Sequence, residues 1–576
     1  MGDGSNLTAE ILKNINLMTK VWVSSIVFND NSKVLINEND IVVIVGPNNA
    51  GKSATLKEVA KMIHHKNEKG KVVLDITINK SGSEEDLISF VNNFAEKTFS
   101  SNPLPQLHGF NFSIYQGNLQ NYWKDTNNGI NELSNIFVNT LSTEQRLSAA
   151  NPPQSIKITT NPPQHPIHFL QKNDALELQF SEYFKQAFGT DLIVHRNAGN
   201  EVPLYVGKKP TPKAGEDRIS EGYLRELEKL DLLHLQGDGM RSFVGVLLNA
   251  FISNHTILFI DEPEAFLHPP QARLLGKMLA KDLPSERQLF LTTHSEDFLK
   301  GLLDSNAQNL KIIRIQRNNS INQISVLNSV DINEIWSDSL LRHSNVLSGL
   351  FHSKVIICES DSDCRFFSAI LSSLYDDLGQ IAPDVLFIHC GGKHRVPVVI
   401  KALKKLNVPM SIVTDFDVLN NINPIKSIYE NLGGTWSAVE KDWNLVKTEI
   451  ERKRPEFLTE DLKEEIKGVF DSTSERIFPK EKISEINRAL KKASPWTEAK
   501  QVGKAYIPSG SATQAFEKIQ IKFKEKGFYI LEVGELECFD KSIGNHGPKW
   551  VNDVLNKDLK NDAELENARK FVKEII

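Results

Sequence analysis

Ile41-Val-Val-Ile-Val45-Gly46-Pro-Asn-Asn-Ala-Gly51-Lys52-Ser53 reads as an apolar strand that runs into a glycine-bracketed loop and then into a helical segment, Ser53–Ile63. Five consecutive β-branched residues suit a strand covered on both faces, the kind found in parallel sheets. The loop matches GxxxxGK[ST]. In that pattern the glycines let backbone N–H groups wrap phosphates at a helix N-terminus, the lysine reaches the β- and γ-phosphates, and the hydroxyl can ligate Mg²⁺. Gly46, Asn48, Asn49, Gly51, Lys52 and Ser53 are therefore expected to hold ATP with Mg²⁺.

A second apolar strand, Thr256–Ile260, delivers Asp261-Glu262-Pro263 about two hundred residues later. Asp261 is expected to hold the Mg²⁺ through water, and Glu262 to orient or deprotonate the attacking water. A third run, Gln288–Leu291, leads to Thr292-Thr293-His294-Ser295 and places His294 where a γ-phosphate sensor would sit. Further short runs at Val355–Cys358, Val385–Ile388 and Ser411–Thr414 each precede a loop and a helical pattern. That alternation is the α/β signature of buried, mostly parallel strands.

Taken in order, the first-half motifs resemble the ABC-type ATPases of the SMC and RecF kind: Walker A at Gly46–Ser53, Walker B at Ile257–Glu262, a D-loop-like Pro263–His268 and a switch histidine, His294. Where that family places its signature stands Leu235-Gln-Gly237-Asp-Gly239-Met-Arg241, which keeps the glycines but lacks the serine of LSGG. The resemblance implies a homo-dimer or higher homo-oligomer through the ATPase domain, with Gly237 and Gly239 facing the partner subunit's ATP. The missing serine implies slow hydrolysis. Gln116, in Ile114-Tyr-Gln-Gly117, is a candidate Q-loop glutamine.

The chain has 576 residues, 40% hydrophobic and 24% charged, with 32 Gly and 24 Pro, which is ordinary globular composition. Its length implies two to four domains. Lys plus Arg number 67 and Asp plus Glu 73, a net charge of −6, so no global basic excess would bind nucleic acid indiscriminately, though a local basic groove stays open. The four cysteines, Cys358, Cys364, Cys390 and Cys538, form no CxxC pair, against a disulfide framework or zinc ribbon. No apolar run approaches the ~18 residues of a membrane helix, and the N-terminus lacks a signal pattern, so a cytoplasmic protein without membrane contact is expected.

The second half carries a different chemistry. Val355–Cys358 delivers Glu359-Ser-Asp-Ser-Asp363, the strand Val385–His389 ends at Gly391-Gly392, and Ser411–Thr414 ends in Asp415-Phe-Asp417. Alternate residues of a strand project to one side, so Asp415 and Asp417 can point together and Glu359 on a neighbouring strand can meet them. Clustered carboxylates repel unless a cation neutralises them, and hard oxygen ligands select Mg²⁺ or Mn²⁺.

A glutamate, then DxD, on strands with a glycine turn between them, resembles the TOPRIM fold. The Glu359-x-x-x-Asp363 spacing behind an ATPase is most similar to the OLD (overcoming lysogenization defect) family of nucleases. The resemblance implies hydrolysis of DNA by two-metal chemistry, with Glu359, Asp363, Asp415 and Asp417 holding the cations. It also implies a downstream Gly-x-x-Glu element and a catalytic lysine. Glu537 in Gly534-Glu-Leu-Glu537, after a strand Tyr529–Val533, and Lys549 in His546-Gly-Pro-Lys549 are the candidates, with Glu535 and Lys541 as competitors. Family members serve anti-phage systems of the Gabija and retron kind, so a partner such as a helicase-like protein, or a reverse transcriptase with its RNA–DNA product, is implied.

The expected architecture is α/β throughout. An ABC-type ATPase domain over 1–345 carries an insertion at about 80–235, where Pro-rich punctuation such as Asn151-Pro-Pro-Gln and Asn161-Pro-Pro-Gln interrupts the rhythm and which is expected to serve dimerisation. A helical connection at about 331–350 leads to a TOPRIM domain over 346–576 with a helical insertion at about 423–505. The rival reading is a non-catalytic, ATP-gated DNA clamp whose TOPRIM module only binds metal or a partner.

Overall fold

The computed structural model describes residues 19–576 apart from 100–102, 110–111, 126–128, 329, 331–335, 339–341, 343–344, 377–380, 454–457 and 493. The chain divides into two compact units, Met1–Ser339 and Leu340–Ile576. The helical connection expected at about 331–350 lies partly outside the described residues; within it Val346–Phe351 is a 3₁₀ helix.

The first unit is built on a six-stranded sheet. Its order is Ile321–Asn328, Leu310–Asn318, Ile41–Val45, Gln288–Thr292, Ile257–Asp261 and Val138–Leu141, parallel except for the first pair. Ile41–Val45 and Gln288–Thr292 are buried along their whole length, as central strands must be. The register pairs Asp261 with Thr292 and Thr292 with Ile44, so three strands end side by side at one edge. Loops leaving the carboxyl ends of neighbouring parallel strands converge there, where open α/β sheets build their sites.

The stretch at about 80–235, expected from sequence as an insertion, is not a single one, because Val138–Leu141 within it pairs in parallel with Ile257–Asp261 as a strand of the central sheet. Around it lie two small three-stranded antiparallel sheets, Glu96–Thr98 with Gln106–Gly109 and Phe112–Tyr115, and Asp191–Val194 with Leu204–Gly207 and Asp231–Leu232.

The second unit holds a four-stranded, fully parallel sheet in the order Val385–His389, Lys354–Cys358, Met410–Thr414, Phe528–Ile530. Helices Ile422–Asn431, Glu440–Arg452, Thr459–Asp471, Lys480–Lys492, Pro495–Val502 and Ser511–Lys524 fill the interval between its last two strands in sequence. The final strand stops at Ile530, three residues short of the sequence expectation, and Leu531 turns off while still donating to the Thr414 carbonyl. An aromatic cluster fastens the C-terminal segment. Phe366 and Trp550 are fully buried with ring centroids 5.1 Å apart, and the Trp550 indole N–H donates to the Asp540 carbonyl.

Candidate functional site

Two groups of side chains collect at the carboxyl ends of the two sheets. In the first unit the loop after Val45 folds back tightly: a Cβ at Gly46, whose φ is 149°, would lie 2.0 Å from the Ile315 carbonyl oxygen, so only glycine fits. Lys52 is buried, and its Nζ donates to the Gly46 and Pro47 carbonyls at 2.8 Å each, across the loop that the sequence assigns to phosphates. Asn49 lies in the left-handed region and Gly51 directly precedes the helix Lys52–His64, while Asn48 is exposed on the loop. The Ser53 hydroxyl donates to Asp261 Oδ1 at 2.9 Å, and Thr292 donates to the same oxygen. This is the hydroxyl–carboxylate pair a phosphate-bound Mg²⁺ requires, brought together from positions 208 residues apart.

Glu262 takes a left-handed backbone conformation (φ 50°), and its Oε1 lies 3.3 Å from His294 Nε2. Burial and the nearby Lys52 ammonium lower the His294 pKa against the pull of Glu262 and Asp261. Gly237 caps the helix Asp238–Phe251, and Gly239 lies in its first turn, packed so that a Cβ would meet the Phe266 carbonyl at 2.8 Å. Gln116 opens the helix Gln116–Lys124.

Two further residues shape this group. Arg146, fully buried, donates to the backbone carbonyls of both Asp261 and Glu262, so it braces the segment that presents the two carboxylates. Glu264 accepts from Thr293 Oγ1 at 2.7 Å and from the His294 amide at 3.1 Å, and burial raises its pKa. Glu264 lies in the D-loop-like run. Arg146 gives no motif signal, because the two carbonyls it holds are 115 and 116 residues away.

In the second unit, Glu359, Asp415 and Asp417 each offer a carboxylate oxygen within 4.8 Å of the others. The Asp415 amide donates to Glu359 Oε1 at 3.1 Å, locking the two strand ends together. Burial, with Asp415 and Asp417 adjacent, pushes Glu359 up to about 8, and burial likewise raises Asp415. Carboxylates so placed resist sharing one space as anions, which is the condition a divalent cation relieves. Asp417 adds a direct sign of fit: its Oδ1 is buried and accepts no hydrogen bond, while its Oδ2 pairs with Lys393 Nζ at 2.8 Å.

Asp363 is not brought into this triplet. It is the third residue of the helix Asp361–Tyr375, and its Oδ2 accepts from the Ser360 amide at 2.8 Å and hydroxyl at 3.0 Å in a capping box. Burial and the Asp415 charge raise it to about 7.

Downstream, Glu535, Glu537 and His546 form a second group of candidate ligands within 4.8 Å. Glu537 Oε1 accepts from the Gly547 amide at 2.7 Å. Lys549 stands on the outer face of the helix Pro548–Val554, because its neighbour Trp550 takes the core-facing position, and Lys541 is exposed as well. Neither pairs with a carboxylate among the described residues. The lysines that do reach the group are Lys393 and Lys500. Lys500 Nζ lies 2.9 Å from Asp415 Oδ2 and 3.5 Å from Glu535 Oε2; burial lowers its pKa, but Asp415, Asp417 and Glu535 outweigh that and raise it. It comes from the end of the helical stretch read from sequence as an insertion.

A phosphate-loop ATPase unit joined to a TOPRIM-type carboxylate unit is the class of protein these two sites define, and comparison with known proteins agrees. The family model described as "AAA domain, putative AbiEii toxin, Type IV TA system" matches residues 127–299, and "Overcoming lysogenization defect protein-like, TOPRIM domain" matches 350–417. The chain thus matches an AAA-type ATPase domain followed by an OLD-like TOPRIM domain. The Old nuclease of Escherichia phage P2 is 23% identical over 234 residues, 37% of this chain and 38% of that protein. Among solved structures, the SMC head domain from Thermotoga maritima covers 54% of this chain and 100% of that one at 12% identity with a TM-score of 0.28. An Smc head domain from Pyrococcus furiosus, bound to the C-terminal domain of ScpA, covers 55% and 98% at 10% identity with a TM-score of 0.31. Among the described residues no helix is long and apolar enough to cross a membrane, and the four cysteines are free.

Proposed function

We propose that the chain is an ATP-regulated, divalent-metal-dependent DNA endonuclease. The observation that carries this reading is the triplet Glu359, Asp415 and Asp417 just beyond the carboxyl ends of adjacent parallel strands, with one buried Asp417 oxygen left without a donor. Bound there, Mg²⁺ or Mn²⁺ would acidify water and offset charge on a phosphodiester. The protein's own part is to hold three oxygens at fixed spacing, with Glu359 and Asp415 tied through the Asp415 amide and Asp417 steadied by Lys393. Glu535 and Glu537 extend the acidic surface toward a second cation.

In the other unit, Lys52, Ser53 and Asp261 would bind ATP with Mg²⁺, Glu262 would activate water, and His294, in contact with Glu262, would sense the γ-phosphate. Gly237 and Gly239 would meet the ATP of a second subunit in a homo-dimer. A role in anti-phage defence in the cytoplasm follows from family resemblance alone. The test is cleavage of supercoiled plasmid by the full chain. We expect nicking or linearisation with Mg²⁺ or Mn²⁺ and none with excess EDTA, with a rate that responds to ATP. Intact plasmid under every metal condition, with DNA nonetheless retained, would favour the clamp.

A further inference from the structure

Lys500 contacts both groups of candidate ligands at once. Its Nζ is 2.9 Å from Asp415 in the group Glu359, Asp415 and Asp417, and 3.5 Å from Glu535 in the group Glu535, Glu537 and His546. Lys393, by contrast, pairs with Asp417, in the first group.

The position of Lys500 is built into the backbone. Its helix, Pro495–Val502, ends at Gly503, where the chain meets the segment after the last strand. A Cβ at Gly534 would lie 2.1 Å from the Lys500 carbonyl oxygen, and one at Gly503 would lie 2.2 Å from the Glu532 carbonyl oxygen. Two further bonds close the seam: the Lys504 amide donates to the Glu532 carbonyl at 2.8 Å, and the Cys538 thiol to the Gln501 carbonyl at 3.1 Å. Gly534 also accepts from the Phe416 amide at 2.8 Å, which ties this seam to the Asp415–Asp417 turn itself. The ammonium therefore starts from a fixed root beside the carboxylates, unlike a lysine on a free surface.

A divalent cation bound by a carboxylate sits about 2.0–2.6 Å from its oxygen. A cation on Asp415 Oδ2 or Glu535 Oε2 would thus enter the space the ammonium fills, and like charges at such spacing in a partly buried site repel strongly. We propose that Lys500 is an internal competitor for a divalent cation at the junction of the two groups. One cation binds at the triplet with Lys500 in place, and a second must displace the ammonium from Asp415 and Glu535. Lys500 is then a positioning residue that sets the free cation concentration at which the second position fills. This rests on reading the carboxylates as a divalent-cation site, and its test requires no DNA cleavage.

The measurement is Mn²⁺ binding to the full chain without DNA or nucleotide, followed by the electron paramagnetic resonance of free Mn²⁺. Wild type is compared with Lys500→Met, Lys500→Gln and Lys500→Arg; the P-loop is common to all four, so differences report on the carboxylates. We expect wild type to bind Mn²⁺ in a tighter and a weaker class. Removal of the charge in the Met and Gln variants should tighten the weaker class at least tenfold, whereas Arg should stay within about threefold of wild type. Lys500 is one-third exposed, so the Gln variant carries the test if Met perturbs folding. Unchanged or weaker Mn²⁺ binding in both neutral variants overturns the proposal, as does an Arg variant that tightens like Met. If the neutral variants tighten as expected but the chain cuts no DNA, the nuclease reading fails and the role of Lys500 stands. No Mn²⁺ uptake by any variant removes both.

Discussion

Lys52 shows how far a single residue can be read from sequence. Its motif fixes its neighbours within the loop, and the structure finds its ammonium bridging two carbonyls of that loop. Lys52→Ala is expected to abolish ATP binding in calorimetry, because the ammonium expected on the β- and γ-phosphates is lost. Unaltered affinity would remove the P-loop assignment. Glu262→Gln keeps the Ser53–Asp261 pair and should bind ATP, with turnover reduced about 10²-fold or more, as loss of a general base predicts; normal steady-state phosphate release would place the base elsewhere. Arg146 and Lys500 escape sequence reading for one physical reason. Their partners are distant in the chain, Asp261 at 115 residues for Arg146, and a lone basic residue outside any motif looks the same whether it is solvated or buried against a site. Asp363 carries two features at once. Its spacing from Glu359 suits a ligand and the charges of Asp415 and Glu537 reach it, while the third position of a helix behind Ser360 gives its Oδ2 local donors in a capping box.

At the level of elements, strands with a continuous apolar run were the most legible, because burial on both faces leaves that run unbroken: Ile41–Val45, Gln288–Thr292 and Lys354–Cys358 each contain one and sit within their parallel sheets. Val138–Leu141 was not legible. It is four residues long, reads Val-Asn-Thr-Leu, and has a sheet neighbour on one side, so polar residues are tolerated and the periodic signal is lost. The helical stretch after Asp417 was legible as helices but not as a contributor to the site. What brings Pro495–Val502 to the carboxylates is the glycine seam, which gives no periodic signal at all. Gly534 lies at φ 117° with the Lys500 carbonyl where a Cβ would stand. Gly534→Ala should therefore destabilise the protein by roughly 2–4 kcal/mol from backbone strain plus steric overlap. Chemical denaturation of the variant checks this, and a midpoint equal to wild type would show that the seam is loose.

On the scale of the whole molecule, the proposed nucleotide site and the acidic groups each lie in their own compact unit. A net charge of −6 argues against indiscriminate attraction to DNA, so engagement has to come from local groups and from cations at the carboxylates. If ATP regulates cleavage, it can do so only by binding active and inactive arrangements unequally. Initial cleavage rate against ATP concentration should then vary for wild type and be flat, but not zero, for Lys52→Ala; superimposable flat curves would remove the coupling while leaving the nuclease intact. Whether the Glu359–Asp415–Asp417 triplet cuts DNA is decided by Glu359→Ala and Asp415→Ala. Cleavage of supercoiled plasmid with Mn²⁺ and ATP binding by calorimetry are measured on the same preparations. Both variants should lose about 10³-fold or more in cleavage rate, since the ligands that compensate transition-state charge are gone, while binding ATP as wild type does. Wild-type cleavage by either variant would contradict the account.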